Sequence, residues 1–182
     1  MHLMLQRRPG TVISSIILFV AFSLNVCSQT TVSSFPSMPL PVLNSPQGRD
    51  KLVDEQNIRE AVFRYQFEHN ASGQQQQAKI YFLSLGERRS PRDDFMSRFK
   101  GHKPPVRKVS GALVNSLGVV EKKTGRRGLL FQVTGIRWLG QNEVEVEGGY
   151  FESGHSASTN VYKVSRENGK WVVKEDRMRE IS

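Results

Sequence analysis

Residues 143–154 read EVEVEGGYFESG, and the fold turns on how the chain passes through the two glycines. Glu143, Val144, Glu145, Val146 and Glu147 alternate polar and apolar, the two-residue period of a strand with one buried face. Gly148 and Gly149 interrupt that pattern before Tyr150 and Phe151. Paired glycines can bring main chain close to a phosphate, or they can let a sheet bend. A phosphate loop needs a strand that leads through glycines into a helix, whereas strand composition continues here. The preceding stretch LLFQVTGIRWL (129–139) supports the bend. If Leu139 pairs with Glu143 across Gly140, Gln141 and Asn142, then Trp138 faces Val144, Ile136 faces Val146 and Arg137 faces Glu145. This register sets like against like, while a two-residue loop would set Trp138 against Glu145. Gly135 then falls opposite Glu147, beside the glycine pair. The apolar parity changes at the same place, from Leu129, Phe131 and Val133 to Ile136 and Trp138. A parity change beside glycines on both strands predicts a bulge or sharp bend.

Further elements are read outward from this hairpin. VYKVSRENGKWVVKED closes the chain around Asn168-Gly169, a tight-turn pair, and places Tyr162, Val164, Trp171 and Val173 on one face. Upstream, VDEQNIREAVFRYQFEHN carries Ile58, Ala61, Val62 and Tyr65 at helical spacing, with Phe63 and Phe67 as a second stripe. Asp54 is the expected N-cap of this helix. AKIYFLSL is apolar on both faces, which predicts a strand inside the core. Ser90, Pro91 and Asp93 then open a short helix that Phe95 and Phe99 pack inward. The fold class expected is α+β: a long N-terminal helix and a short helix on a strongly curved, cone-like antiparallel sheet.

The first 28 residues have the basic, apolar, small-residue order of a signal peptide, with cleavage expected near Ser28. An uncleaved membrane anchor and a lipidated Cys27 are the alternatives. Residues 29–50 are rich in Ser, Thr and Pro and read as a flexible tether, leaving 51–182 as a single domain. Cys27 is the sole cysteine of the 182 residues, so a chain cut after Ser28 has no disulfide and no thiol nucleophile. The formal charge is +9, two units of it in the leader at Arg7 and Arg8. Much of the excess lies in Arg88, Arg89, Arg92, Arg98, Lys100, Lys103, Arg107 and Lys108. In an exported protein this segment would meet an anionic envelope surface rather than nucleic acid; otherwise it is a solvated basic face. Asn70-Ala71-Ser72 matches an N-glycosylation acceptor.

The DEQNIREAVFRYQFEHN helix and the VYKVSRENGKWVVKEDR hairpin, with the bent meander between them, resemble the nuclear transport factor 2-like superfamily. The resemblance is architectural and spans about 51–182. It implies a bent sheet wrapped round a helix, with an apolar pocket at the open end. Some members are isomerases, dehydratases or cyclases that use Asp, His or Tyr inside the cone, and others are binding or dimerisation modules. No Asp-His constellation stands at corresponding places here, so no catalytic role is carried over.

Trp138, Tyr150, Phe151, Tyr162 and Trp171 are the residues expected to line a pocket, or else to fill the core. Tyr150, Glu152 and His155 are the first candidates for acid–base chemistry because they lie close together in sequence near the bend. Glu143, Glu145 and Glu147 share a strand face about 7 Å apart, but they read as a solvated stripe answering Arg137. His69, His102 and His155 have no metal-ligand spacing. Phosphate, nucleotide, zinc and serine-hydrolase signatures are absent, so no cofactor and no metal is expected. The expected function is an exported binding or dimerisation module for a partner, a small apolar ligand or a second copy. A small isomerase- or cyclase-like enzyme, or envelope binding through the basic segment, is the alternative.

Overall fold

A computed structural model of the chain describes residues 46–70, 72–73 and 77–181, with side chains from Asp50 to Glu180. The leader, Cys27, most of the tether, Ala71 of the glycosylation triplet and residues 74–76 of the Gln tract lie outside the described residues. Helix α1 (Pro46–His69) opens the fold and is followed by strand β1 (Ile80–Leu85) and the short helix α2 (Asp93–Ser97). Strand β2 (Val106–Lys108), a 3₁₀ turn, and the hairpin β3 (Ala112–Asn115) and β4 (Gly118–Glu121) come next. Four long strands complete the chain: β5 (Arg127–Trp138), β6 (Glu143–Ser153), β7 (Ser156–Glu167) and β8 (Lys170–Ile181).

The strands form one open eight-stranded sheet ordered β2-β1-β5-β6-β7-β8, and β4 joins β3 to the start of β5. This is an α+β fold, but the sheet is mixed and not antiparallel as expected. β1 runs parallel to both β5 and β2. Its sequence is apolar on both faces because both faces are covered. Tyr81 and Leu83 pack toward α1 and α2 with Phe63, Phe67, Phe95, Phe99 and Phe131. Ile80 and Phe82 pack the other way, against Val109, Ala112, Val119 and Leu130. β3 and β4 therefore cap a second, smaller core.

The β5–β6 register is the one the sequence implies. Trp138 pairs with Val144, Arg137 with Glu145, Ile136 with Val146 and Gly135 with Glu147. The ladder then slips between Val133 and Gly135, which lets Val133 and Ile136 pack against the same core despite their opposite parity. Neither Gly148 nor Gly149 has a left-handed φ. Space is what they supply: a Cβ on Gly148 would lie 2.4 Å from the Gln132 carbonyl oxygen, and one on Gly149 would lie 1.9 Å from that of Ser158.

Asn168 and Gly169 both take positive φ and close the β7–β8 hairpin between Glu167 and Lys170. Tyr162, Val164 and Trp171 are buried in the main core, with Val173 packed against it. β8 carries two further slips, opposite Lys163/Val164 and opposite Thr159/Asn160. The first moves the core-facing parity from Trp171 and Val173 to Asp176 and Met178, which pair with Tyr162 and Asn160.

Asp54 does not cap a helix. α1 begins eight residues earlier, at Pro46, and Asp54 Oδ1 accepts a bond from Trp171 Nε1 at 3.1 Å. The face of β5–β8 turned away from α1 carries Glu143, Glu145 and Glu147 among cations. Lys163 pairs with Glu143, Arg137 and Arg177 both pair with Glu145, and Arg179 pairs with Glu147. Glu143 holds the Lys163 ammonium above its usual pKa.

Candidate functional site

Two of the hollows in the described fold stand out for the groups on their walls. One is a small cavity between the C-terminal half of α1 and the glycine bend. Gln66 comes off α1 four residues after Val62, on the buried side, and is 2 % exposed. It passes over the vacant Cβ position of Gly148, and its Nε2 donates to the Gln132 carbonyl at 3.1 Å and to the Tyr162 hydroxyl at 3.3 Å. Asn160, on the inward face of β7, donates from Nδ2 to Asp176 Oδ1 at 2.5 Å. Gln66 Oε1 and Asn160 Oδ1 are buried without a hydrogen-bond partner. Burial, with the charge of Asp176 and with Tyr65 nearby, pushes the Tyr162 phenol well above its ordinary range, against the lowering effect of its bond from Gln66. The cavity measures about 50 Å³ and is closed on one side by Tyr150 and Ser158.

The other hollow is an open groove of about 570 Å³ along α2 and β2. Phe82, Met96, Phe99 and Val106 form its floor, and Lys100, His102, Arg107 and Lys108 line its rim with Asp93 and Glu121. Lys108 pairs with Asp93 at 2.8 Å, and Glu121 is taken by Arg126 at 3.0 Å. The Thr124 hydroxyl and the Arg126 guanidinium hold the Glu121 carboxyl below the usual carboxylate range. Lys100 and Arg107 make no ion pair among the described residues. Arg98 is turned away, to Glu60 and Asn57 of α1 at 2.8 Å each. Arg92 pairs with Asp94 at 3.6 Å.

Comparison with protein-family models, with curated proteins and with solved structures finds no match. What either hollow does rests on its own chemistry.

The five aromatic residues expected around one pocket are spread over three places. Tyr150 and Tyr162 border the small cavity. Trp138 and Trp171 meet edge to face, with centroids 5.7 Å apart, beside the N-terminal half of α1. A second open groove there is bounded by Lys51, Asp54, Trp138 and Leu139. Phe151 lies on the opposite face, against the smaller core.

Tyr150, Glu152 and His155 do not converge. Tyr150 is buried in the main core. Glu152 accepts bonds from the hydroxyls of Ser72 at 2.5 Å and Ser156 at 2.9 Å. His155 is exposed at the β6–β7 turn, with its main-chain N–H on Ser153 Oγ. The Asn70 amide nitrogen, which a glycan would take, donates to the Gln66 carbonyl at 2.8 Å. Among the described residues no group of three or more His, Cys, Asp or Glu is placed to hold a metal, and no helix is long and apolar enough to cross a membrane.

Sequence reasoning passed over Gln66, Asn160 and Asp176. Two of them leave a readable trace. Gln66 sits four residues after a core valine, and Asn160 alternates with Tyr162 and Val164 on the apolar parity of β7. Asp176 leaves none, because it turns inward only through the slip in β8.

Proposed function

We propose that the chain is an exported, non-enzymatic binding module, bent like the nuclear transport factor 2-like proteins, that holds an anionic ligand in the α2–β2 groove. Export rests on the composition of the first 28 residues. The bend is supported by the slip at Val133/Gly135 and the two further slips between β7 and β8, since bulges increase local twist and turn strands out of plane. The carrying observation is the pair Lys100 and Arg107, two cations that make no ion pair among the described residues, although Arg107 acts on Glu121 at longer range, on a groove with an apolar floor. Its volume is in the range of small-molecule sites. The ligand that fits has a phosphate or carboxylate and a short apolar portion.

Against the enzymatic reading, aromatic rings fill the space between α1 and the sheet. Phe67 packs on Tyr81 at 5.0 Å and on Phe131 at 5.1 Å, and Phe63 packs on Phe95 at 6.1 Å. Against dimerisation through the sheet, the face turned from α1 bears charge pairs, and edge strand β8 exposes Lys174, Glu175, Arg177 and Arg179, which discourage strand addition. The test is calorimetric titration with butyl phosphate beside inorganic phosphate, at low and high salt. The expected result is binding of the alkyl phosphate that weakens with salt and disappears in Lys100→Ala/Arg107→Ala. Equal binding by the native chain and the double variant would overturn the proposal.

A further inference from the structure

The β3–β4 hairpin has two faces, and only one is covered. Ala112 and Val119 turn into the smaller core and Val114 packs against it, while Leu113 and its cross-strand partner Val120 turn the other way. Leu113 is 52 % exposed, and Leu117, in the two-residue turn at the tip, is 83 % exposed. The tip is braced: the Ser116 carbonyl accepts from the Gly154 N–H at 2.9 Å, and the Leu117 N–H donates to Asn115 Oδ1 at 3.0 Å. The uncovered face runs into cations. Val120 pairs with Arg127 at the start of β5, so Leu113, Val120 and Arg127 form one row across three strands. Lys79 donates its main-chain N–H to the Arg127 carbonyl, and Lys122 and Lys123 stand in the β4–β5 turn. Lys79, Lys122, Lys123 and Arg127 are exposed and make no ion pair among the described residues. The carboxylates near the hairpin are engaged elsewhere. Glu121 has the opposite parity to Val120, lines the α2–β2 groove and is taken by Arg126. Glu152, whose main chain lies against Gly118, is held by the Ser72 and Ser156 hydroxyls.

We propose that this face of the hairpin docks on an anionic lipid membrane, with Leu113 and Leu117 entering the interface and the four free cations meeting the headgroups. A single exposed leucine needs no explanation. Two on one small hairpin, beside cations without carboxylates, combine the two attractions of a peripheral membrane contact: buried apolar area and charge complementarity. A second copy of the chain fits less well, because a two-fold contact through this face would bring the same cations together. Nucleic acid would answer the cations but leave the leucines against phosphates, and residues 112–127 hold no aromatic ring on which a base could stack. The surface lies on the side of the hairpin opposite to Glu121, and is independent of the groove and its ligand.

The test uses the full chain with Leu117→Trp, an exposed position that tolerates the change, and reads emission at the hairpin itself, so that attachment through the apolar leader does not register. Vesicles of phosphatidylcholine alone are compared with vesicles that also contain phosphatidylglycerol, at low and high salt. The expected result is a blue shift, with quenching by brominated acyl chains, on the anionic vesicles only, reversed as salt rises. Lys123→Glu/Arg127→Glu in the same background is expected to weaken the response about tenfold or abolish it. Emission unchanged by anionic vesicles would overturn the proposal, as would an equal shift on phosphatidylcholine alone or a shift undiminished in the charge-reversed variant. An equal blue shift with duplex DNA would also count against a lipid partner. A dimer in sedimentation that Leu113→Ser/Leu117→Ser dissolves would assign the face to a second copy instead.

Discussion

Gln66 of α1 donates to the main-chain carbonyl of Gln132 on β5 across the place where Gly148 of β6 has no side chain. The helix, the bulged strand and the glycine are thus one contact, and the glycine is there to make room. Space, not backbone freedom, is the requirement. Gly149→Ala would press a methyl into the Ser158 carbonyl, a main-chain atom that cannot swing aside, and is expected to cost about 3 kcal/mol or more. Gly148→Ala meets the Gln132 carbonyl and Gln66 Nε2 and should cost a similar amount. Gly135→Ala, whose nearest neighbour is Glu147 Oε2 at 3.9 Å, should change stability by about 0.5 kcal/mol or less. Urea denaturation of the three variants checks the ranking, and equal costs at 135 and 149 would contradict it.

That contact also marks how far the sequence can be read. The β5–β6 register follows from residue chemistry alone, because only one loop length pairs Trp138 with Val144 and Arg137 with Glu145. The Asn168-Gly169 turn is equally legible, since both residues tolerate positive φ. The parallel pairing of β1 is not legible. Two apolar faces report burial on both sides but carry no direction. β2, β3 and β4 are three or four residues long, too short for a periodicity. Asp54 was misplaced because acidic residues before an apolar stripe look like a helix start, while the tertiary partner that holds it, Trp171, is 117 residues away. The cavity was hidden for a related reason: a slip in β8 brings Asp176 inward, and nothing in KEDRMRE announces a slip.

The Asp54–Trp171 bond ties α1 to β8 and should be measurable. Trp171 is 7 % exposed, and its indole N–H has Asp54 as acceptor. Asp54→Ala leaves that donor buried and unpaired, at an expected cost of about 1–3 kcal/mol. Asp54→Asn keeps an acceptor oxygen and should cost less. Tryptophan emission during urea unfolding reads both, because Trp171 and Trp138 are the chain's two indoles and lie against each other. Equal destabilisation by Ala and Asn would show that the charge pair with Arg166, and not the indole bond, is what matters.

Glu145 receives both Arg137 and Arg177 on the solvent side of the sheet. Exposed pairs contribute about 0–1 kcal/mol each and are screened by salt. Glu145→Gln should therefore lower stability by about 1 kcal/mol at low ionic strength and by less in high salt. A cost that stays constant as salt rises would mean that Glu145 contributes through packing.

At alkaline pH the buried phenols should set the stability. Burial raises the ionisation of Tyr162 most, and those of Tyr65 and Tyr81 also lie above the ordinary value of 10.0. A phenol whose pKa is higher in the folded state stays neutral there while the unfolded chain ionises. Its stabilising effect is complete below the unfolded value of about 10 and is lost progressively as pH climbs from there toward the folded value. The chain should therefore lose stability above about pH 10, with Tyr162 contributing up to about 1.4 kcal/mol per pH unit. Tyr162→Phe removes the ionisable group while Gln66 keeps its bond to Gln132, so the variant should show a shallower alkaline decline than the native chain. Thermal midpoints followed from neutral to strongly alkaline pH test this, and parallel curves for the two proteins would exclude Tyr162 as the source.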